Sequence, residues 1–247
     1  ALQPCNMATT FLDAMRQLAL DAEIRPVQAL RKEFAAALAD IAARTNPTER
    51  CLILSGGVDT CAILAAAEEQ GVTFSGSLTV ITDEASPDKA FAAAAAQQHS
   101  LSHHVIQVTS ADLVESYLPA CAKLLATFDG MTLRNSLVVA AAMRKASELG
   151  FKHAVVGDGA DELFGGYSFM WGCADDPAEW AQKRNKMCAE WTFATSALAA
   201  AYGLVSHSPY TEPRFVAWAI ANTGRADCIG TRPIRLTYQG EAIEHVT

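Results

Sequence analysis

Cys51-Leu52-Ile53-Leu54-Ser55-Gly56-Gly57-Val58-Asp59-Thr60 is the stretch from which the fold can be read. Cys51 to Leu54 is a short apolar run, of the length of a buried parallel strand. Ser55-Gly56-Gly57 turns the chain, and Val58 to Gln70 reads as a helix. A strand, a glycine turn and a helix N-terminus make an anion-binding nest, because several backbone N–H groups and the positive end of the helix dipole point at one spot. Glycine lets the main chain approach a phosphate with no Cβ in the way. Asp59 narrows the reading, since a carboxylate beside bound phosphates is repulsive unless a divalent cation sits between them. The stretch therefore reads as a site for polyphosphate plus metal.

A glycine turn merely capped by Asp59 or Thr60 is the plain alternative. The strand before it, the helix after it and Asp-Thr in register favour the phosphate reading. Two other phosphate loops are absent. Gly-x-x-x-x-Gly-Lys-Ser/Thr occurs nowhere, and Gly157-Asp158-Gly159-Ala160-Asp161-Glu162 lacks the third glycine of the dinucleotide fingerprint.

Outward from this stretch, helical apolar spacing predicts helices over 8–21 and 26–44, with Asn46-Pro47 breaking the second. Further helices are predicted from Ser86-Pro87-Asp88 through Gln98, over 110–127 with an interruption near Pro119, and over 132–149, 177–202 and 213–222. Strands are predicted at 77–81, 103–108 and 154–156, and the tail from Ala226, with Gly230, Pro233 and Gly240, reads as irregular. Short apolar strands alternating with helices imply an α/β fold with a doubly wound parallel sheet, Rossmann-like. In the common order 3-2-1-4-5 the first and fourth strands are neighbours, and ligands bind beyond their carboxyl ends. The loop after Leu54 and the loop after Val156 would then face one crevice. The expected organisation is N-terminal helices over 1–48 packing on a domain over 49–247.

At 247 residues, 51% hydrophobic and 19% charged, the composition is that of an ordinary soluble globular protein. A formal charge of −8 argues against binding of nucleic acid through a general basic surface. The seven cysteines are an odd number without a Cys-x-x-Cys pair, which reads as reduced thiols in a cytoplasmic protein. No apolar run reaches the ~18 residues of a membrane span, and the start of the chain carries no secretory pattern.

The second glycine turn crowds Asp158, Asp161 and Glu162 into five residues between glycines. An acidic helix start would account for one or two acids but not for the glycines around them. Asp59 and Asp161 are placed to hold one Mg2+ from opposite sides, with phosphate oxygens completing the shell. Asp158 stands nearer the reacting centre, where a carboxylate can accept a proton from an amine.

Ser55-Gly56-Gly57-Val58-Asp59-Thr60 resembles the pyrophosphate loop of the AMP-releasing ATP pyrophosphatases. Val156-Gly157-Asp158-Gly159-Ala160-Asp161-Glu162-Leu163-Phe164-Gly165-Gly166-Tyr167 closely resembles Gly-Glu-Gly-Ala-Asp-Glu-Leu-Phe-Gly-Gly-Tyr of the asparagine synthetase C-terminal domain, which β-lactam synthetases share. Phe128 to Ser136 is similar to that family's Tyr-Asp-x-x-Thr-Ile-Arg-Ala-Ser, and Tyr202 to Glu212 to its Gly-x-Glu-Ala-Arg-x-Pro-Phe-Leu-Asp. The resemblance implies the adenine nucleotide alpha hydrolase type of fold, with ATP and Mg2+. It implies activation of a carboxylate as an acyl-adenylate with loss of pyrophosphate, then amide formation with ammonia or an amine. On it, Ser55, Gly56, Gly57, Asp59 and Thr60 would cradle pyrophosphate, Asp59 and Asp161 would bind Mg2+, Ile53 and Gly157 would line the adenine site, and Thr132 and Arg134 would face the phosphates or substrate beside a catalytic Asp158.

The chain departs from the family in four places. About 50 residues precede the loop, so no glutaminase domain is expected on this polypeptide, and ammonia, an amine or an ammonia-supplying partner would serve; a homodimer is a further possibility. The family's Glu is Asp158 here, which withdraws the carboxylate by about 1.5 Å, one C–C bond. No lysine follows Lys186, leaving Arg232 or Arg235 as substitutes for the family's late lysine. Pro-Phe-Leu-Asp is Pro209-Tyr210-Thr211-Glu212, so the carboxylate need not be aspartate. An intramolecular β-lactam-type cyclase and a nucleotide-binding regulatory module are the alternatives.

Overall fold

A computed structural model describes residues 25–84, 86–173, 176–229, 234–238 and 241–245 of the 247. The first expected helix, 8–21, lies outside them. Helix α1, Arg25–Ala43, leads into strand β1, Arg50–Ile53, and the glycine turn then opens helix α2, Val58–Gln70. Strand β2, Gly76–Ile81, helix α3, Pro87–Gln98, and strand β3, His103–Gln107, follow. Strand β4, His153–Val155, and strand β5, Val205–His207, complete one five-stranded sheet of order β3-β2-β1-β4-β5. Every pairing is parallel, and β1 lies at the centre: Leu52 opposes Ser77 of β2 on one side and Val155 of β4 on the other. The expected doubly wound α/β fold is what the chain adopts.

The period-two alternation of the central strands decides which face each residue covers. Leu52, Leu54 and Val155 enter one core with Phe34, Leu38 and Ile41 of α1, Ile63 and Leu64 of α2, and Ala92, Ala95 and Ala96 of α3. Cys51, Ala154 and Val156 enter the other with Met143 and Ala146 of helix α5, Gly130–Glu148, and Ala199 of helix α8, Ala194–Ala201. Small residues let α3 approach the sheet closely, while α1 brings bulk. Leu38 and Ile41 are fully buried, and truncating either costs about 2–5 kcal/mol.

Arg50 is buried at the start of β1 and binds no carboxylate among the described residues. It donates to the Thr73 carbonyl at 2.6 Å, to the Thr45 hydroxyl at 2.7 Å and to the Ala42 carbonyl at 3.3 Å, beneath the Phe74 ring. One guanidinium thereby ties the end of α1 to the loop before β2. Among the described residues no helix is long and apolar enough to cross a membrane, and the six described cysteines are free thiols.

The interruption expected near Pro119 is a π turn, Leu113–Tyr117, that joins a turn at Ser110–Asp112 to helix α4, Leu118–Leu125, with Pro119 in the opening turn of α4. Two expectations need correction. The helix expected over 177–202 is two, α7, Pro177–Glu190, and α8, because Trp191 is extended at φ −60°, ψ 137°. The tail is not irregular: after helix α9, Pro213–Asn222, come α10, Arg225–Ile229, and an antiparallel hairpin of β6, Ile234–Tyr238, and β7, Glu241–His245. Ile234, Leu236 and Tyr238 alternate with polar residues at the strand period, a signal that the neighbouring glycines and proline obscure. Strand β5 is three residues long, too short for its periodicity to announce it.

Candidate active site

The turn after β1 is braced by its own side chains. The Gly57 N–H donates to Ser55 Oγ at 3.2 Å, Ser55 Oγ lies 3.2 Å from Thr60 Oγ1, and Thr60 Oγ1 donates to the Gly57 carbonyl at 3.3 Å. Gly56 has φ 82°, in the left-handed region. A Cβ there would lie 2.7 Å from the Ala92 backbone nitrogen, so α3 packs directly on the loop. Ser55 and Gly57 are exposed, Asp59 is half-buried and Thr60 is buried. Ile53 ends β1, half-buried against the core that holds Cys51 and Leu78.

Strand β4 delivers the second turn beside the first. A Cβ at Gly157 would lie 3.3 Å from Asp59 Cβ and 3.4 Å from Thr60 Cγ2, so the two turns touch where that glycine stands. Gly159 has φ 93° and caps helix α6, Ala160–Phe164. Asp161 closes under Gly166: a side chain at Gly166 would begin 1.9 Å from Asp161 Oδ1. Glu162 accepts a hydrogen bond from the Tyr167 hydroxyl.

Burial, and after it neighbouring carboxylates, raise Asp59, Asp158 and Asp161. Burial, then Asp161 and Glu162, push the Asp59 carboxyl up to about 6. Asp161 is raised by burial and by Glu162. Asp158 is raised by burial and by Glu162, against a bond from the Thr195 hydroxyl that favours its charged form. Among the described residues no basic group is ion-paired with Asp59, Asp158 or Asp161, and these acids do not assemble with a third ligand into a ready metal cage. Two repelling carboxylates without a cation suit Mg2+, which keeps phosphate and water oxygens in its shell and takes few protein ligands.

Thr132 and Arg134 stand apart from this group. They are exposed on the first turns of α5, whose N-cap Asp129 accepts from the Thr132 N–H at 2.7 Å. Among the described residues neither bonds to the glycine turns. Arg232 and the side chain of Arg235 lie outside the described residues.

Sequence reasoning assigned no role to four residues that hold the site. Ser208 Oγ donates to the Asp158 carbonyl at 2.6 Å, and the Tyr210 hydroxyl donates to the Asp59 carbonyl at 2.9 Å. The Thr195 hydroxyl lies where it favours the charged form of Asp158, and Trp180 fills the space beneath Gly165, where a Cβ would lie 2.8 Å from the indole nitrogen. Tyr210 falls within Pro209–Glu212, matched to Pro-Phe-Leu-Asp, and Ser208 just before it in the longer matched stretch from Tyr202, which marked their neighbourhood. Nothing in the sequence around Thr195 marks it.

The family model described as Asparagine synthase matches residues 29–214, well over half of the chain. The chain belongs to the asparagine synthase family. A curated relative, the glutamine-hydrolyzing asparagine synthetase of Asparagus officinalis, is 30% identical over 129 residues, covering 48% of this chain. The match takes in 21% of that relative, about a fifth of its length. Among solved structures, an NH3-dependent NAD synthetase from Campylobacter jejuni subsp. jejuni NCTC 11168, in complex with the nitrate ion, aligns with a TM-score of 0.40 at 17% identity. That alignment covers 57% of this chain and 60% of the synthetase.

Proposed function

We propose that the chain is an ATP-dependent, AMP-forming amide synthetase. It would activate a small-molecule carboxylate as an acyl-adenylate, release pyrophosphate, and pass the acyl group to ammonia or an amine. The observation that carries this reading is the contact between the two glycine turns on adjacent central strands, with Asp59 and Asp161 close enough to repel and Asp158 beside them. A phosphate chain laid along Ser55–Thr60 would meet the backbone N–H groups at the start of α2, which orient it. Asp59 and Asp161 would hold Mg2+. The ion would neutralise charge on the phosphates and on the departing pyrophosphate. Ile53 and Gly157, at the ends of β1 and β4, would flank the adenine. Asp158 would take the proton from the attacking amine, its raised affinity for protons suiting it to that task. Thr132 and Arg134 would reach the phosphates or substrate from the start of α5, and residues 49–247 would form the synthetase domain supported by the helices of 1–48.

Incubation with ATP, Mg2+, ammonia and a panel of carboxylates is expected to yield AMP and pyrophosphate only when a carboxylate substrate is present. Formation of ADP and phosphate, or no nucleotide turnover with any carboxylate, would sink the reading.

One observation favours a second reading, a nucleotide-binding regulatory module. The Asp158 carboxylate is a methylene shorter than the Glu of the motif it resembles, and it is engaged by Thr195. That reading predicts tight ATP binding with no turnover, and Asp158→Glu would not awaken any.

A further inference from the structure

Both acid-bearing turns are held from outside by one short segment. The Ala160 N–H bonds to the Gly157 carbonyl at 3.3 Å, and Gly159 stands at φ 93°, ψ −10°, while Asp158 has no positive φ. Residues 157–160 therefore form a type II β-turn with Gly159 at its third position. A type I turn over the same residues differs by rotation of the middle peptide, Asp158–Gly159, through about half a circle. Glycine accepts either form, so the turn's own chain does not choose between them. Ser208 Oγ reaches the Asp158 carbonyl at 2.6 Å, a bond possible only while that carbonyl faces β5.

The same segment grips the other turn. The Tyr210 hydroxyl donates to the Asp59 carbonyl, in the first turn of α2, at 2.9 Å. The Thr211 methyl closes on Gly159, where a Cβ would lie 2.8 Å away. Ser208 is 6% exposed and Tyr210 5% exposed, so water does not compete for either bond. Tyr210 is itself wedged against Phe34 of α1, ring centroids 4.6 Å apart. Phe, which the matched motif carries at this place, has no hydroxyl to offer.

We propose that Ser208–Thr211 is a positioning clamp: Ser208 selects the orientation of the Asp158–Gly159 peptide, and Tyr210 ties the first turn of α2 to the same segment. The spacing between the two glycine turns is then set by one segment that belongs to neither of them. The kinetic consequence rests on the synthetase reading; the structural consequence does not.

The test uses the 247-residue chain with Ser208→Ala, Ser208→Thr and Tyr210→Phe, read by amide hydrogen exchange, by Mg2+-dependent binding of pyrophosphate, and by pyrophosphate release. Ser208→Ala is expected to speed exchange over 157–165 and to lower kcat by about 10- to 100-fold, with KM for ATP within about twofold of wild type. Ser208→Thr retains the hydroxyl and is expected to retain kcat. Tyr210→Phe is expected to speed exchange over 59–63 and to weaken pyrophosphate binding about fivefold, the worth of one neutral hydrogen bond. Unchanged exchange and unchanged binding in both deletion variants overturn the clamp. So does a Ser208→Ala loss that Ser208→Thr reproduces in full. A wild-type chain that turns over no carboxylate defeats the synthetase reading instead, and exchange and pyrophosphate binding then decide the clamp alone.

Discussion

After β1 the chain turns through Ser55–Gly57 into a helix of 13 residues, and after β4 it turns through Gly157–Gly159 into one of five. The plan is the same and the means of support differ. Ser55, Gly57 and Thr60 brace the first turn within six residues of chain, on a helix long enough to stand on its packed face. The second turn borrows its supports: Ser208 and Thr195 on Asp158, Tyr167 on Glu162, Trp180 beneath Gly165. The loop of the first turn is thus braced by its own side chains, with Tyr210 tying in the helix behind it, whereas the second turn rests on tertiary packing throughout. Damage to the packing around α7 should therefore reach the second turn and spare the first.

Trp180→Ala should break this difference open most strongly. The ring is fully buried, with the Arg184 guanidinium 5.0 Å from its centroid, and Arg184 in turn donates to the Thr223 carbonyl at 2.8 Å. A stability loss of about 3–5 kcal/mol is expected in denaturant unfolding. Faster amide exchange should concentrate at 157–166 and leave 55–63 near wild type. Equal loosening of both turns would mean that Trp180 supports the first turn as well as the second.

Gly166→Ala acts on Asp161 alone. The new Cβ would occupy the position of its carboxylate, which must swing away. Pyrophosphate release should fall by about 100-fold while the melting temperature holds. Retained activity would remove Asp161 from the site.

This contrast also decides what was legible in the sequence. The strand Cys51–Leu54, the turn and the helix from Val58 declare themselves because each cause lies within a few residues. The order of the sheet followed, since alternating strands and helices leave few ways to wind a parallel sheet. Asp158 and Asp161 were visible as an acidic glycine turn, but what holds them was not. Thr195 follows a break between two helices that read as one. Ser208 and Tyr210 follow a strand too short to show a period, and their partners lie 50 and 151 residues away. The hairpin of β6 and β7 is hidden for another reason: glycine and proline beside an alternating run read as irregularity.

Burial and repulsion at Asp59 give a test of the first turn by pH. Asp59 is pushed up to about 6 in the fold, against the 3.8 of an ordinary aspartate, so between these values the folded chain holds the extra proton. Its contribution therefore lowers stability as pH rises from about 4 to about 6, and the cost stays in place above that. Asp59→Asn should raise the melting temperature of the metal-free protein by about 2–4 °C at pH 7, with little gain below pH 4. Mg2+ with pyrophosphate should stabilise the wild type at pH 7 and the variant much less. No pH-dependent gain would mean that neither burial nor the neighbouring carboxylates raise Asp59.

The smallest effect expected is at Thr195. Its hydroxyl favours the charged form of Asp158, so Thr195→Val should raise that carboxyl further and move the acid limb of kcat/KM to higher pH. An unmoved limb would separate Asp158 from proton transfer.

The central claim is that the two turns form one site in which a carboxylate attacks the α-phosphate of ATP. It is tested most directly by following heavy oxygen from a labelled carboxylate substrate. Attack at the α-phosphate, then amide formation, must leave one labelled oxygen in AMP and none in pyrophosphate. Unlabelled AMP, or label in inorganic phosphate alongside ADP, would contradict the account.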